Sequence, residues 1–135
     1  MPKRRLRLGT RVEILDRAGW HCWFCGVHLP AGEGTVTCFL PAARGGGTEP
    51  DNLCAACVPC CSAKGGRTVE QYRQWLWSRS CDSAIVSTAI TRLIARQPGL
   101  PQFHRAALHD MAARLALEAP AIVFYGERAG ERPAP

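Results

Sequence analysis

Two Cys-x-x-Cys pairs constrain the fold of this chain more than any other feature of its sequence. Cys22 and Cys25 form the first pair, Cys57 and Cys60 form the second, and 31 residues separate the pairs. Such a turn presents two thiolates to one ion, and a structural zinc ion takes four ligands at the corners of a tetrahedron. We therefore expect these four cysteines to bind one structural zinc ion and to close the intervening segment as a loop.

A metal staple suits the composition of the first half of the chain. The chain has 135 residues, enough for one domain with a small appendage, and most of its 13 glycines and 8 cysteines precede residue 66. A loop-rich segment that is short of apolar core needs disulfides or metal. The basic start is followed by no continuous apolar run, and no stretch of about 20 apolar residues exists, so neither a signal peptide nor a membrane span is expected. The expected location is cytoplasmic, where thiols stay reduced and metal is favoured over disulfides.

Positive charge is concentrated at the start of the chain. The formal net charge is +6, the isoelectric point is near 9.1, and six of the first 17 residues are basic: Lys3, Arg4, Arg5, Arg7, Arg11 and Arg17. An excess of this kind favours a polyanionic partner, most often nucleic acid. A solubilising surface with a basic arm is the alternative that charge alone leaves open.

Apolar spacing and turn residues predict the elements of the first half. These elements are a helix at 10–18 ended by Gly19, a β-hairpin with strands 27–30 and 35–40 around the turn 31–34, a glycine-rich loop at 41–50, and a short helix at 61–65.

The second half has helical patterns throughout. Thr68 and Gln71 form a capping-box pattern that opens a helix to about Arg79. Two further helices, separated by a break at 98–101, carry apolar stripes that we expect to be core. The stripes consist of Ile85, Val86, Ala89, Ile90, Leu93 and Ile94 in the first helix and Phe103, Ala107, Met111 and Leu115 in the second. Residues 121–125 are expected to form a late strand or an apolar tail that docks, and residues 126–135 are expected to be disordered.

The order and spacing of the motifs over residues 11–76 resemble HNH endonucleases of the zinc-ribbon type. The segments that carry this resemblance are 17–26, 35–41, 45–47, 51–53 and 56–65. The resemblance implies an α+β fold, in which a small zinc-stabilised ββα-metal finger is followed by a helical C-terminal part outside the family. The implied organisation is a basic arm at 1–10, an HNH-like domain at 11–76, a helical extension at 77–125 and a tail at 126–135.

The resemblance also implies where a hydrolytic site would lie. In the family an Asp-His pair ends the first strand and supplies the general base, and the Asp with an Asn or His at the helix start holds a divalent metal ion. Thr37, Cys38 and Cys61 stand at these positions, whereas the family's middle Asn is retained as Asn52. A Thr hydroxyl is no substitute for a carboxylate at Mg²⁺, and thiols are soft ligands and poor bases at neutral pH. We therefore expect a degenerate nuclease site at Cys38, Asn52 and Cys61.

The remaining cysteines leave alternatives open. Cys38, Cys54 and Cys61 could hold a second zinc ion or an iron–sulfur cluster, with a fourth ligand from Cys81, His21 or His28. They could instead be small buried hydrophobic residues, or redox-active thiols.

The resemblance favours a protein that binds nucleic acid, most plainly double-stranded DNA. Phosphate contacts are expected from Arg44, Lys64 and Arg67 near the finger helix and from Lys3, Arg4 and Arg5 in the arm. Two other functions stay open: an active metal-dependent endonuclease that recruits a base such as His21 or His28, and a cysteine-rich metal or redox regulator or adaptor. The helical part could provide a docking surface for a protein partner.

Overall fold

The computed structural model describes residues 8–30 and 34–130, and these residues form the mixed α+β fold that the sequence predicts. The elements in chain order are α1 Leu8–Arg17, β1 Thr35–Cys38, β2 Leu53–Ala56, α2 Val58–Lys64, α3 Val69–Ser80, α4 Asp82–Arg96, α5 Gln102–Glu118 and α6 Tyr125–Arg128, with 3-10 turns at Ala42–Arg44 and Pro50–Asn52. The predicted basic arm residues Lys3, Arg4 and Arg5 lie outside the described residues.

The chain divides into two compact units. The first, called the zinc unit after the ion that its four paired cysteines are expected to bind, contains the described residues 8–30, 34–72 and 123–130. The second, called the helical unit, contains residues 73–122. The helical unit is therefore inserted in sequence into the zinc unit, which the chain leaves after Tyr72 and re-enters at Val123.

Helix α1 provides the first layer of the zinc unit. It starts two residues earlier than the sequence predicts, and it buries Ile14 and Leu15 while most of its other side chains stay exposed. Gly19, with a φ of +61°, follows its end as expected. Leu15 packs with Leu29 and Ala55 in a small apolar cluster, so this helix covers one face of the sheet.

The sheet has two antiparallel strands, and its pairing corrects the predicted hairpin. β1 pairs with β2, with Thr35 opposite Ala56 and Cys38 opposite Leu53. Residues 27–30 do not pair with β1. They fold back on the residues around the first Cys-x-x-Cys turn instead, because the amide of Leu29 donates to Trp20 and the amide of Cys22 donates to Val27. The Val27 carbonyl and the Leu29 amide are thus bonded to residues of the metal turn and are not available to pair with β1.

An aromatic cluster forms the other part of the core of the zinc unit. Trp23, Phe24, Tyr72 and Phe124 are all nearly inaccessible to solvent. Phe124 lies with its ring centroid 5.0 Å from that of Phe24, 5.5 Å from Trp23 and 5.7 Å from Tyr72. Rings at these distances gain more than their buried area alone provides.

The C-terminal segment packs into this core. Of the two alternatives predicted for residues 121–125, a late strand or an apolar tail that docks, the structure has the second. The amide of Tyr125 donates to Phe24 and the amide of Gly126 donates to Trp23. A Cβ at Gly126 would lie 2.0 Å from the Trp23 ring, so only glycine fits there. Residues 126–130 were predicted to be disordered, but Gly126 is bonded to the metal turn, and Arg128, Ala129 and Gly130 make local backbone bonds in and after α6. The prediction for 131–135 lies outside the described residues.

The predicted capping box at the start of α3 is confirmed. The amide of Gln71 donates to the Thr68 hydroxyl, and the amide of Thr68 donates to the Gln71 side chain.

The helical unit is built around the hairpin of α4 and α5. The predicted core stripes of α4 and α5 are largely wrong. Of those ten residues only Ile94 is buried, and the seam of the hairpin is formed by the smaller Ala84, Ser87 and Ala112. Among the described residues, no helix has the length and apolar character needed to cross a membrane.

Candidate metal centre and the adjacent loop

The four cysteines of the two Cys-x-x-Cys turns come together at one point of the zinc unit. The sulfur atoms of Cys22, Cys25, Cys57 and Cys60 all lie within 4.8 Å of one another. The Cys25 and Cys57 sulfurs are 3.7 Å apart. Tetrahedral zinc with Zn–S bonds of about 2.3 Å separates its sulfurs by roughly 3.8 Å, so the spacing fits that ion. No disulfide joins any of the eight cysteines, all of which lie in the described residues.

Local structure places each pair of thiols. In the first turn the amide of Gly26 donates to Cys22, and the Tyr125 ring lies directly over this glycine. In the second turn Cys57 precedes α2, Pro59 occupies the first turn of that helix, and the amide of Cys61 donates to Cys57. Proline suits a first helical turn because no intrahelical acceptor is needed there.

The electrostatics of the cluster favour a bound cation. A hydrogen bond between the two side chains lowers the pKa of Cys22 to about 4 and raises the pKa of Cys60. One thiolate is thus stabilised by a neighbouring thiol that keeps its proton. Four thiolates this close repel each other strongly, and a divalent cation removes that cost. The four residues therefore fit a metal ion by charge as well as by distance.

Tyr72 supports the cluster from outside the ligand set. It is buried, its hydroxyl hydrogen-bonds to the Cys60 sulfur, and burial followed by that bond raises the pKa of Tyr72. A neutral hydroxyl that donates to a ligating sulfur orients the ligand and spreads its charge. The sequence did not predict this role of Tyr72. No spacing pattern indicates that an aromatic residue in a helix contacts a cysteine 12 positions earlier in the chain.

Asn52 fixes the loop between the two strands. Its side-chain oxygen accepts from the amide of Leu40 at 2.9 Å, and its nitrogen donates to the carbonyls of Leu40 at 3.0 Å and Gly47 at 2.8 Å. Gly46 lies so close to this contact that a Cβ would be 1.7 Å from the Leu40 carbonyl oxygen. Asn52 therefore braces the loop that follows β1.

The loop is also held from α1 by a residue that sequence reasoning counted only as positive charge. The Arg17 guanidinium donates to the carbonyls of Pro50 and Leu53, on either side of Asn52. Arg17 therefore serves a structural role, and no feature of the sequence distinguishes it from the other basic residues around it.

Cys38 is the last residue of β1, and Cys61 lies within α2. Both are half-buried, and the Cys38 thiol points toward the Gly47 carbonyl at 3.9 Å. The Lys64 side chain reaches back from α2 and its ammonium donates to the Cys38 carbonyl at 2.6 Å. The end of β1 is therefore tied to α2 by the Lys64 ammonium.

In the described residues no group of ligands corresponds to the possible second metal site at Cys38, Cys54 and Cys61. Within the described parts of the chain, the only group of three or more candidate ligands that come together is the four-cysteine cluster. Directly opposed residues of an antiparallel pair project to one face, and neighbours along a strand project to opposite faces. Cys54 is opposite Thr37 in the sheet, so its buried thiol projects away from the face used by Cys38.

The candidate fourth ligands of that second site also have other surroundings. His21 and His28 form an isolated bridge, with ring centroids 5.4 Å apart, and the Nδ1 of His21 faces the Gly26 carbonyl at 3.1 Å. Cys81 precedes α4 in the helical unit. Both histidines thus lie against the first metal turn.

Three of the predicted phosphate-binding residues fall in the described region, and they differ in accessibility. Lys64 is fully buried, so the expectation that it contacts phosphate is corrected. Arg44 is exposed and its Nε donates to Gly66, and Arg67 is half-buried and donates to Ala63. These two arginines, called the α2 basic pair, lie together at the C-terminal end of α2.

Few known proteins are similar to this chain. No protein-family model matches it, and no curated protein is significantly similar to it. Among solved structures it is similar to part of the crystal structure of the Type II-C Cas9 enzyme from Actinomyces naeslundii, at 17% identity over 86% of this chain and 12% of that chain, with a TM-score of 0.47. The chain thus spans about an eighth of that protein, and a likeness this weak supports no functional argument.

Proposed function

We propose that this chain is a zinc-binding protein of the HNH-endonuclease type that binds double-stranded DNA through its finger and does not cut it. The observation that carries the proposal is the bracing of the inter-strand loop by Asn52, inside a strand–loop–strand–helix segment bracketed by the four-cysteine cluster. This combination supports a nuclease-type finger, because a plain structural zinc site needs no such loop brace.

The loss of hydrolysis follows from the chemistry at the end of β1. Mg²⁺ and similar hard cations need oxygen ligands, whereas Thr37 offers a hydroxyl and Cys38 and Cys61 offer thiols. The buried ammonium of Lys64 next to the Cys38 carbonyl adds a positive charge, which disfavours a second cation there. A thiol is also a weak general base at neutral pH, because it must ionise first.

The α2 basic pair supplies the proposed contact with the phosphate backbone. Neither guanidinium of the pair is fully buried, and each is held toward one end of a helix by a hydrogen bond to a backbone carbonyl. Such contacts bind DNA without reading its sequence, and each phosphate neutralised releases counterions. Lys3, Arg4 and Arg5 would add to this affinity as a basic arm.

Gel retardation of a short DNA duplex tests the binding proposal. Wild-type protein should retard the duplex at about 50 mM salt, and its affinity should fall as salt rises. The double variant Arg44→Ala/Arg67→Ala should bind more weakly at every salt concentration and lower the log–log salt slope by up to roughly 1.8, since each phosphate contact contributes about 0.9. Arg114→Ala is the matched control, because Arg114 is exposed and pairs with Asp110 in the helical unit.

Two outcomes would overturn the proposal. Absence of retardation at about 50 mM salt removes DNA binding altogether, since counterion release favours complexes there. Nicking of plasmid DNA by pure protein with Mg²⁺, Mn²⁺, Ni²⁺ or Zn²⁺, lost in Asn52→Ala, would show that the finger still cuts. Equal zinc content in each variant is required, so that a folding defect is not mistaken for lost binding.

A further inference from the structure

Helix α4 of the helical unit carries two apolar faces, and only one of them is used within the hairpin. The used face packs on α5 through Ala84, Ser87 and Ile94, which are buried. The Ser87 hydroxyl donates to the Ala112 carbonyl of α5 at 2.8 Å. This seam is narrow, because two of its three members on α4 are small.

The second apolar face of α4 is centred about 120° around the helix from the seam. At 100° per residue, Val86, Ala89, Ile90 and Leu93 fall within an arc of about 100° that is centred away from the seam. Val86 is 45% exposed and Leu93 is 44% exposed, Ala89 is also exposed, and Ile90 is half-buried. These four residues are called the outer stripe. Their spacing of three and four is the pattern that helices bury against another helix.

The outer stripe is self-complementary in an antiparallel arrangement. If two copies of α4 cross between Ala89 and Ile90, Val86 of each copy meets Leu93 of the other. Near the crossing point, Ala89 of one copy then lies beside Ala89 of the other, and Ile90 lies beside Ile90. The small side chain at the crossing point allows the two helix axes to approach closely. The larger side chains lie one turn away on either side, where the axes diverge.

Charge on α4 favours the same arrangement. Asp82 lies in its first turn and Arg96 in its last turn, both are exposed, and both project toward the side of the outer stripe. In an antiparallel pair each Asp82 lies next to Arg96 of the second copy, so two symmetric ion pairs form. A parallel pair would instead place like charges side by side, and it would also align the two helix dipoles unfavourably.

We propose that this chain forms a symmetric homodimer through the outer stripe of α4. The helix has 15 residues and is about 22 Å long, which corresponds to an interface at the small end of specific contacts. The dimer therefore dissociates on dilution, and its affinity depends on the apolar contacts of the stripe more than on the ion pairs. The proposal does not depend on DNA binding or on the zinc unit.

Sedimentation of the full chain loaded with zinc tests the proposal. Between about 10 µM and about 1 mM, the mass should rise from the 14.7 kDa of one chain toward twice that value. Leu93→Glu should weaken the dimer more than tenfold, because a carboxylate would be buried without a partner in each half of the interface. Leu117→Glu is the matched control, since Leu117 is 87% exposed on α5 and should leave the dimer unchanged.

A charge exchange distinguishes antiparallel self-pairing from every other arrangement. Asp82→Arg alone and Arg96→Asp alone should each weaken the dimer about fivefold or more, because each places like charges at both ends of the interface. An equimolar mixture of the two variants should dimerise as well as wild type, since the mixed dimer again has two ion pairs, one with the wild-type signs and one with the signs reversed. Far-UV circular dichroism establishes that each variant keeps its helices.

Three results would overturn the proposal. The first is a single-chain mass at about 1 mM, well above the range expected even for a small interface. The second is a dimer that Leu93→Glu does not weaken, which would place the interface elsewhere. The third is a mixture of the two charge variants that associates no better than either variant alone.

Discussion

Metal and contacts distant in sequence stabilise the zinc unit, whereas neighbouring helices stabilise the helical unit. In the zinc unit, cysteines that lie 31 residues apart share one cluster, and Phe124 packs on Trp23 across 100 residues of chain. In the helical unit, α4 and α5 are joined by a short break and meet along a seam of small residues. The stability of the zinc unit therefore depends on closing long loops, and that of the helical unit on local helix formation.

Removal of metal should break the comparison most sharply. A strong chelator should collapse amide protection from hydrogen exchange in residues 8–30, 34–72 and 123–130, because structural zinc contributes about 10–16 kcal/mol to small zinc domains. Protection in α4 and α5 should fall much less. Mass spectrometry of peptides after exchange measures both units in one sample. Equal loss in the two units would mean that the metal stabilises the whole chain and that the distinction is false.

Removal of the C-terminal anchor should have the next largest effect. Phe124→Ala should lower the free energy of unfolding of the zinc unit by about 3–5 kcal/mol, as is usual for a buried Phe in a packed core. Urea denaturation followed by tryptophan fluorescence measures this change. Val123→Ala is the control, because Val123 is 47% exposed and should matter by less than about 0.5 kcal/mol. Similar effects of the two variants would show that the tail does not anchor the core.

Loss of the loop brace should be smaller. Asn52→Ala removes three hydrogen bonds to Leu40 and Gly47 and should cost the zinc unit about 1–3 kcal/mol. Asn52→Asp keeps the acceptor for the Leu40 amide but loses both donors, and its carboxylate faces two carbonyl oxygens. It should therefore be no more stable than Asn52→Ala in the same urea titration. A neutral result for both variants would remove the structural role of Asn52.

The smallest effect is expected at the seam of the helical unit. Ser87→Ala removes the bond to the Ala112 carbonyl and should cost about 1 kcal/mol, since that carbonyl lies within a helix. Thermal unfolding monitored at the far-UV helix band measures it. A cost as large as that of Phe124→Ala would mean that the helical unit depends on a few contacts distant in sequence, like the zinc unit.

Sequence reasoning succeeded where a feature is local in the chain. The two Cys-x-x-Cys turns, the Thr68–Gln71 capping box and the three long helices follow from spacings of a few residues. The strand pairing did not follow, because the choice between residues 27–30 and β2 as partner of β1 depends on the metal turn. Backbone groups that the turn engages are unavailable to a strand, and no residue pattern displays this.

The sequence also did not predict which faces of the helices are buried. Helix α4 is apolar on two sides, so periodicity alone favours the side with larger residues such as Val86 and Leu93. The structure buries Ala84 and Ser87 instead, because small residues let the two helices of the hairpin approach. Lys64 shows a similar limit. Its charge suggested a phosphate contact, whereas its burial assigns it to the Cys38 carbonyl.

We propose that one zinc ion, bound by Cys22, Cys25, Cys57 and Cys60 alone, closes the loop between the two Cys-x-x-Cys turns, and that Cys38 and Cys61 bind no metal. Native mass spectrometry under reducing conditions tests it directly. Wild type, Cys38→Ser and Cys61→Ser should each carry one zinc ion per chain, and Cys57→Ser/Cys60→Ser should carry none, because two ligands cannot retain the ion. Two metal ions in wild type with one lost in Cys38→Ser, or zinc retained by the double variant, would contradict the account.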